Sequence, residues 1–306
     1  MNPENIGLSA LIGTEKAAEF MSGSWPKQPF VAHELGASIQ PLLDIPFLQS
    51  LEALLHSWNG PIQAHLPDVS DESSSIDVTS KEARKLFSNR MGLLFNNVQT
   101  LSPELEVWLK TLAKDLGLPA STYGRCIVYA TPNGKGTAAH FDQNINFVLQ
   151  IHGTKHWSIA PNTSVENPTQ RFTIGQDLDP ELASYAENEM PDEMPTKGRR
   201  EITLRPGSML FVPRGWWHST EATGEALALN FTFSQPSWVD LFTLALRSRL
   251  LLSPAWRELA DGVSSANGDK RLVAQKQLDE LLAQLVEDLP NWQAEDILSA
   301  TEGDIT

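Results

Sequence analysis

Between about residues 123 and 234 the sequence breaks into short β-type runs separated by glycine and proline, and no other feature restricts the fold as much. The candidate strands read RCIVYAT, NINFVLQIH, KHWSIA, EITLR, SMLFVP and EALALNFTF. Short strands separated by such turns are typical of a β-sandwich or a β-barrel. We therefore expect a mainly β core in the second third of the chain.

Helical periodicity marks both flanks of this β region. On the N-terminal side it is carried by FLQSLEALLHSW (47–58) and SPELEVWLKTLAKDLGLP (102–119), and the second begins with a capping serine, a first-turn proline and early acids. Between these two helices the polar residues 68–82 are typical of a surface loop. The predicted organisation is a mostly helical segment packing on the core (1–120), the β core (121–237) and a C-terminal helical region (238–306).

Five leucines form one stripe on the last predicted helix, KQLDELLAQLVEDL. They are Leu278, Leu281, Leu282, Leu285 and Leu289. Such a stripe packs against its own domain or against a second subunit. We favour packing within the chain, and a homodimer through the C-terminal helices is the alternative.

One long insert, residues 162–198, interrupts the strands. Its QDLDPELASYAENEMPDEM portion has seven acidic residues and no basic residue. Loops of this length are usually lids, binding elements or disordered segments. The acidic stretch would suit a basic peptide, and a solvated loop is the simpler interpretation.

Composition narrows the classes of function and location. The net charge of −15 argues against direct nucleic-acid binding, which depends on basic surface. No run of eighteen apolar residues indicates a membrane-spanning helix, and the polar, acidic N-terminus is not typical of a signal peptide. A single cysteine, Cys126, cannot form an internal disulfide or a cysteine-built zinc site. We expect a cytoplasmic protein.

Three side chains from two separate stretches have the chemistry of a metal site. His140 and Asp142 lie two residues apart, so on a strand they would share one face. Alone they would bind a divalent metal weakly, and His-X-Asp occurs by chance in many chains. His218, in SMLFVPRGWWHST, can supply a third ligand from a distant strand. Two histidines and one carboxylate make the facial triad of non-haem Fe(II) oxygenases, so we predict His140, Asp142 and His218 as metal ligands.

The remaining histidines carry less information. His152 and His156 flank a predicted His-Gly-Thr turn and are expected at the surface or behind the metal ligands. His33, His56 and His65 lie in the helical part and show no partner pattern.

Lys155 follows Asp142 by thirteen residues, on the strand expected after that turn. Its long side chain could reach back into the barrel. A lysine after a turn is more often solvated, so its position alone leaves both interpretations open.

The segment from His140 to Lys155 and the approach PGSMLFVPRGWWH to His218 resemble the JmjC class of 2-oxoglutarate oxygenases. They are most similar to the cupin-type protein hydroxylases, which include the ribosomal oxygenases and the hypoxia-factor asparaginyl hydroxylase. The N-terminal FMSGSWPKQP and the stretch YATPNGKG are similar to the ribosomal oxygenases. The C-terminal part is shorter than the dimerisation and winged-helix regions of those enzymes, so a ribosomal-protein substrate does not follow.

The resemblance implies a cupin-like double-stranded β-helix, or jelly-roll, and roles for further residues. Lys155 would grip the distal carboxylate of 2-oxoglutarate with help from Thr137. Asn230 and Asn146 would lie near the metal and the keto-acid end, and Tyr129 would face the substrate.

The resemblance also implies an activity: an Fe(II)- and 2-oxoglutarate-dependent dioxygenase that uses O2 to hydroxylate an amino-acid side chain of a protein or peptide. Two alternatives remain. The enzyme could act on a small molecule or a biosynthetic peptide, or the chain could be a cupin-type metal- or ligand-binding module without turnover.

Overall fold

The computed structural model describes residues 6–66, 74–264, 266 and 268–302. Contacts divide the chain into two compact units. The first contains residues up to Leu118 and Tyr123–Gln235, and the second contains Pro119–Thr122 and the residues from Pro236 onward. The predicted domain boundaries themselves stay predictions.

Ten α-helices lie among the described residues. They are α1 Leu8–Ile12, α2 Thr14–Glu19, α3 Gly36–Leu43, α4 Leu51–Ser57, α5 Ser80–Ser88, α6 Pro103–Asp115, α7 Pro180–Tyr185, α8 Trp238–Leu250, α9 Gly268–Asp288 and α10 Ala294–Glu302. The two N-terminal helices predicted from periodicity correspond to α4 and α6. Ser102 caps α6 by accepting a hydrogen bond from the Leu105 N–H, with Pro103 in the first turn.

Eleven strands form one antiparallel sheet in the described part of the first unit. They are β1 Phe30–Ala32, β2 Ile62–His65, β3 Ser75–Val78, β4 Gly92–Asn96, β5 Tyr123–Thr131, β6 Gly136–Phe141, β7 Ile145–Ala160, β8 Phe172–Thr173, β9 Arg200–Leu204, β10 Ser208–Val212 and β11 Trp217–Ser234. The order of hydrogen-bonded neighbours is β1-β10-β7-β11-β5-β4-β2-β3. In addition, β6 pairs with β11 and β8, and β9 pairs with β7. The predicted mainly β core with helices before and after it is confirmed.

The long strands β7 and β11 organise the sheet. β11 runs beside β7 along nearly its whole length, while β10 pairs with the first part of β7 and β9 with the last part. The predicted turn at His-Gly-Thr is therefore wrong, because the two strands expected around it are one. Gly153 marks the bend with a φ of 67°, and a Cβ there would lie 2.1 Å from the Glu225 carbonyl oxygen.

Alternate residues of these two strands serve different purposes, because successive side chains face opposite sides of a sheet. Phe147 and Phe231 belong to the main hydrophobic core, where the Phe20 ring contacts Phe147 edge-on at 5.7 Å between centroids. Their neighbours Val148 and Asn230 line a cavity. Both strands are thus buried on both faces, one against the core and one against the cavity.

The N-terminal segment contributes strands as well as helices. β2, β3 and β4 extend the sheet beyond β5, and β4 pairs with β5 from Leu93–Ala130 to Asn96–Ile127. The prediction of a loop over 68–82 is wrong where the structure describes that segment, because Ser75–Val78 is β3 and α5 begins at Ser80. Residues 68–73 lie outside the described residues.

The insert is ordered around a small core of its own. Phe172 and Leu182 pack with Phe141 and Trp217, and the Phe141 and Trp217 rings meet edge-on at 4.8 Å between centroids. β8 pairs with β6, so the insert is tied to the strand that carries His140.

The second unit consists of α8, α9 and α10 with two short 3₁₀ turns, Ala255–Arg257 and Leu289–Asn291. The Arg249 guanidinium donates two hydrogen bonds to the Asp288 carboxylate, at 2.8 and 2.7 Å. The Trp292 indole N–H donates to the same carboxylate at 2.8 Å.

No residue of α9 is buried. Of the leucine stripe, Leu278, Leu282 and Leu289 are exposed by 50%, 45% and 40%. Packing within the chain is therefore wrong for these three leucines, which leaves the alternative of a second subunit. None of the described helices combines the length and hydrophobicity that a membrane crossing requires.

Candidate functional site

The three predicted metal ligands come together where β6 meets β11. His140 and His218 are paired across these strands, and their ring centroids lie 4.0 Å apart. Asp142 follows the end of β6, where its carbonyl accepts a hydrogen bond from the Gly215 N–H at 2.8 Å. One ligand atom from each side chain lies within 4.8 Å of the other two. Asp142 Oδ2 is 4.0 Å from Nε2 of His140 and 3.7 Å from Nε2 of His218.

The backbone sets the tautomer of both histidines. Nδ1 of His140 lies 2.7 Å from the Ala138 carbonyl oxygen, and Nδ1 of His218 lies 2.9 Å from that of Trp216. A carbonyl only accepts, so each Nδ1 carries the proton and each Nε2 carries the lone pair. Burial, and then repulsion from His140, holds the pKa of His218 well below its usual range. A neutral imidazole with an oriented Nε2 is the form that binds a metal.

The Asp142 carboxylate is oriented from both sides. Asn146 donates from Nδ2 to Oδ2 at 3.2 Å, while Arg171 donates from Nη1 to Oδ1 at 3.3 Å. Asn146 is itself held by Thr232, whose hydroxyl donates to its Oδ1 at 2.7 Å. Two neutral imidazoles and one oriented carboxylate fit a divalent metal of the facial-triad type. Sequence reasoning missed Arg171, because the insert shows no motif that singles out one side chain.

Lys155 lies inside the cavity, not in solvent. Only 4% of its surface is exposed, and burial lowers the pKa of its ammonium group to about 8. Its Nζ lies 5.5 Å from the centroid of the Tyr129 ring. Among the described residues it has no hydrogen-bond or ion-pair partner, so the site would accept a carboxylate at this point.

Polar groups from two other strands face the same cavity. Thr137 and Thr220 hydrogen-bond through their hydroxyls at 3.0 Å across β6 and β11. Asn230 is buried, and its Oδ1 has no hydrogen-bond partner in the described structure. The same holds for the indole N–H of Trp157, whose ring stacks on His218 at 22°. Unpaired buried polar groups are costly, and a polar ligand in the cavity would satisfy them. Thr220 and Trp157 carried no sequence signal of their own.

All eight predicted site residues line this one cavity. They are Tyr129, Thr137, His140, Asp142, Asn146, Lys155, His218 and Asn230. The structure shows their placement, and their chemical roles stay predictions.

The other histidines divide into two groups. His156 is at the surface, bonded to the hydroxyls of Thr203 and Thr223, and His152 lies outside the cavity lining with its Nε2 3.1 Å from the Leu48 carbonyl oxygen. His65 corrects its prediction, because it lies on β2 and lines the cavity. Its proximity depends on β2 joining the sheet, which its local sequence did not predict.

Comparison with known proteins identifies the family. The model of the JmjC domain matches residues 118–241, which include all eight residues. YxbC of Bacillus subtilis, described as an uncharacterized protein, is 33% identical, and the match covers 97% of this chain and 92% of YxbC. The chain belongs to the JmjC-domain family. Ribosomal oxygenase 1 of Gallus gallus is a more distant relative of this JmjC protein, with 26% identity over 66% of the chain and 33% of the relative.

Solved structures agree with this fold. The ribosomal oxygenase YcfD of Escherichia coli superimposes with a TM-score of 0.53 at 16% identity, covering 92% of this chain and 68% of YcfD. The predicted cupin-like JmjC fold is therefore confirmed. At the level of the family, the predicted enzyme class, an iron- and 2-oxoglutarate-dependent oxygenase, is confirmed as well.

Proposed function

We propose that this JmjC protein hydroxylates an amino-acid side chain of a protein or peptide, using Fe(II), 2-oxoglutarate and O2. One observation carries the proposal. A single cavity holds two neutral histidines and a carboxylate within 4.8 Å of one another, together with a buried ammonium group that has no partner among the described residues. A metal triad alone would suit many proteins, whereas the additional buried cation suits a cosubstrate with a distal carboxylate.

Three atoms of the chain would hold the metal: Nε2 of His140, Nε2 of His218 and Oδ2 of Asp142. When bound, iron supplies with 2-oxoglutarate and O2 the oxidising power for C–H hydroxylation, and succinate and carbon dioxide are the by-products. The residues around the triad keep it in the binding form. Asn146 and Arg171 orient the carboxylate, and the two backbone carbonyls keep each Nε2 unprotonated.

Lys155 would bind the distal carboxylate of 2-oxoglutarate. A carboxylate buried without a cation is strongly unfavourable, and so is a buried ammonium without an anion, so each stabilises the other. The Tyr129 ring, 5.5 Å from Nζ, excludes water from this end. We therefore place Tyr129 beside the cosubstrate and not at the substrate alone, with Thr137 beside Thr220 as further hydrogen-bonding groups.

Asn230 and Trp157 would complete the binding of the keto-acid end. Each has a buried polar atom that lacks a partner in the described structure, and both line the cavity. Trp157 also stacks on His218, which keeps that imidazole in place.

The names of the relatives support a protein or peptide substrate. One relative is called ribosomal oxygenase 1, and another, from Culex quinquefasciatus, is called a bifunctional lysine-specific demethylase and histidyl-hydroxylase. One solved structure of YcfD is a complex with cobalt and 2-oxoglutarate, and it superimposes with a TM-score of 0.50. The chain covers about a third of ribosomal oxygenase 1, so neither the ribosome nor histidine is carried over. Direct nucleic-acid binding is not proposed, and a cytoplasmic location stays a prediction.

We also propose a homodimer through the second unit. Large apolar side chains are exposed along its helices, including Val273, Leu278 and Val286 on α9 at 66%, 50% and 66%. Exposed apolar surface repeated along a helix is typical of an interface.

The proposed activity is tested by incubating the purified protein with Fe(II), ascorbate and 2-oxoglutarate. Succinate formation is expected, and mass spectrometry of lysate proteins treated with the enzyme should find peptides that are heavier by one oxygen. The His140→Ala/His218→Ala double variant is the control and should form no succinate above background.

The alternatives make different predictions in the same experiment. Succinate formation with mass gains only among small molecules would favour the small-molecule enzyme. Metal binding without succinate formation under any substrate would favour the binding module and contradict the proposal.

A further inference from the structure

The cavity is cationic in a protein that is strongly acidic. Among the described residues that line it, Arg90, Lys135, Lys155 and Arg171 carry positive charge, and Asp142 is the one carboxylate. The chain has 38 acidic and 23 basic residues, so composition does not account for this excess of cations. Arg90 and Lys135 have no role in the binding of iron or 2-oxoglutarate proposed above.

Arg90 occupies the rim in an unfavourable backbone conformation. Its φ is 66°, in the left-handed region that glycine usually occupies just beyond the end of a helix, here α5. Its Nη2 donates to the Asn133 carbonyl oxygen at 3.5 Å, which places the guanidinium against the β5–β6 turn. An arginine kept at such a position suggests a function for its side chain.

Lys135 and Arg171 extend the positive lining in two directions. Lys135 follows Asn133 by two residues in the same turn, so it lies near the Arg90 guanidinium. Arg171 reaches Asp142 at 3.3 Å, next to the metal ligands. Burial, and then the charge of Arg171, lowers the pKa of His65 in the same lining. The cations thus continue from the rim to the metal ligands.

The acidic insert does not require a basic ligand. Asp179 caps α7 by accepting from the Glu181 N–H at 2.8 Å. Glu181 accepts from the Thr169 hydroxyl at 2.9 Å, and Glu187 accepts from the Glu166 N–H at 3.0 Å. These carboxylates stabilise the insert itself, so its composition is weak support for the basic peptide expected from the sequence.

We propose that the substrate is an acidic peptide segment, with anionic side chains beside the hydroxylated residue that bind to Arg90, Lys135 and Arg171. The inference rests on the proposed function and names its substrate class. Carboxylates and phosphorylated side chains share the required chemistry. RNA is disfavoured, because its phosphates need an extended basic surface and the whole chain carries a charge of −15.

The test uses the full-length, Fe(II)-loaded protein and three synthetic peptide pools. Each pool has a randomised central residue, flanked by glutamate in the first, phosphoserine in the second and lysine in the third. The readout is peptide-stimulated succinate formation. The glutamate or the phosphoserine pool should stimulate at least about tenfold more than the lysine pool, which corresponds to about 1.4 kcal/mol of preference. The stronger of the two identifies the anion.

Charge-reversed variants separate the cavity from the overall charge. Arg90→Glu with Lys135→Glu should shift the preference toward the lysine pool by about tenfold or more. Lys110→Glu with Lys114→Glu on α6 makes the same change in net charge outside the cavity and should leave the preference unchanged. Arg90→Gly should raise Tm by about 2 °C, because it relieves the left-handed backbone, and should still weaken stimulation by the anionic pools.

Several results would overturn the inference. They are a preference of the wild type for the lysine pool, stimulation by no pool, stimulation by an RNA oligonucleotide alone, or an unchanged preference in the Arg90→Glu/Lys135→Glu variant. Consumption of 2-oxoglutarate without peptide, in the same samples, shows whether the proposed function survives. If 2-oxoglutarate is neither bound nor consumed, both proposals fall.

Discussion

His140 and His218 reach the same tautomer by the same local arrangement. In each case Nδ1 donates to the carbonyl oxygen of the residue two positions earlier in its own strand. This bond requires no distant partner, so the strand that carries the imidazole also orients it. The metal-binding nitrogen is therefore prepared before any ion arrives, which reduces the cost of binding.

Removing Asp142 should destroy metal binding, since the remaining two imidazoles are neutral and offer no charge to a divalent cation. We expect Asp142→Ala to weaken Fe(II) or Co(II) binding by more than about 100-fold, and Asn146→Ala, which removes an orienting hydrogen bond, by about 10- to 100-fold. Anaerobic titration followed by Co(II) absorbance measures both affinities.

Glu225→Ala is the matched control, because this exposed acid lies outside the cavity lining. Its metal affinity should equal that of the wild type. Wild-type affinity in Asp142→Ala would refute the assignment of the ligand.

Binding of 2-oxoglutarate should weaken above pH 8. Burial lowers the pKa of Lys155 to about 8 in the ligand-free protein, so above that pH the amine is neutral and must take up a proton to pair with a carboxylate. We expect Kd to rise about tenfold per pH unit between pH 8 and 10. Isothermal titration calorimetry in buffers of different ionisation enthalpy measures both the affinity and the proton uptake.

Lys155→Arg is the control for this pH dependence, because a guanidinium keeps its charge across the range. Its affinity should change little between pH 8 and 10. The fold itself does not weaken in this window. The unfolded chain, with a lysine pKa near 10.4, binds more protons than the folded one there, so this group makes the ligand-free fold more stable as pH rises. A flat wild-type profile would contradict the placement of Lys155 at the carboxylate.

At the scale of elements, the site depends on two long strands that bend together. β7 carries Asn146 and Lys155 on either side of Gly153, and β11 carries His218 and Asn230 on either side of Gly224. Gly153 and Gly224 both have positive φ, at 67° and 76°. The bends bring the two ends of each strand to one cavity, so both metal-side and lysine-side groups come from the same pair of strands.

The two glycines differ in what a side chain would meet, and that difference is testable. A Cβ at Gly153 would lie 2.1 Å from the Glu225 carbonyl oxygen, whereas a Cβ at Gly224 would meet nothing within 4 Å. We expect Gly153→Ala to reduce the free energy of unfolding by about 2–4 kcal/mol, from strain and overpacking together. Gly224→Ala should lose about 1 kcal/mol from the backbone conformation alone. Urea denaturation measures both, and equal losses would contradict the close approach of β11 at Gly153.

The whole molecule contains a second unit whose helices expose much apolar surface. Phe242 and Trp292 pack within this unit at 5.8 Å between ring centroids, yet no residue of α9 is buried. Small helical units rarely bury enough surface to be stable alone. A partner that covers α9 would supply the missing burial, and a second copy of the chain is the partner proposed above.

Dimerisation through α9 is tested by light scattering coupled to size exclusion. The wild type should elute as a dimer at micromolar concentration, and Leu278→Glu with Leu282→Glu should elute as a monomer, because two charges would have to be desolvated at the interface. Gln275→Glu, exposed on the same helix, is the control and should remain dimeric. A monomeric wild type would contradict the proposal.

Prediction from the sequence succeeded where the information is local. Alternation and turn residues indicated the β core, and the cap and first-turn proline indicated α6 nearly to its ends. It failed at Gly153, where a glycine was taken as a turn although the strand bends and continues. A positive φ is compatible with either outcome, and only the neighbouring β11 decides between them.

The sequence by itself determined the chemical composition of the site. His140 and Asp142 lie two residues apart, and Lys155 follows thirteen residues later, so one β-ribbon carries them and their relation is local. The tertiary structure alone decided which distant groups join them. His65 from β2, Arg90 beyond α5 and Arg171 from the insert carry no motif, and each reaches the cavity because strands far apart in sequence pair. Such proximity follows from packing of the whole sheet, which no short stretch of residues encodes.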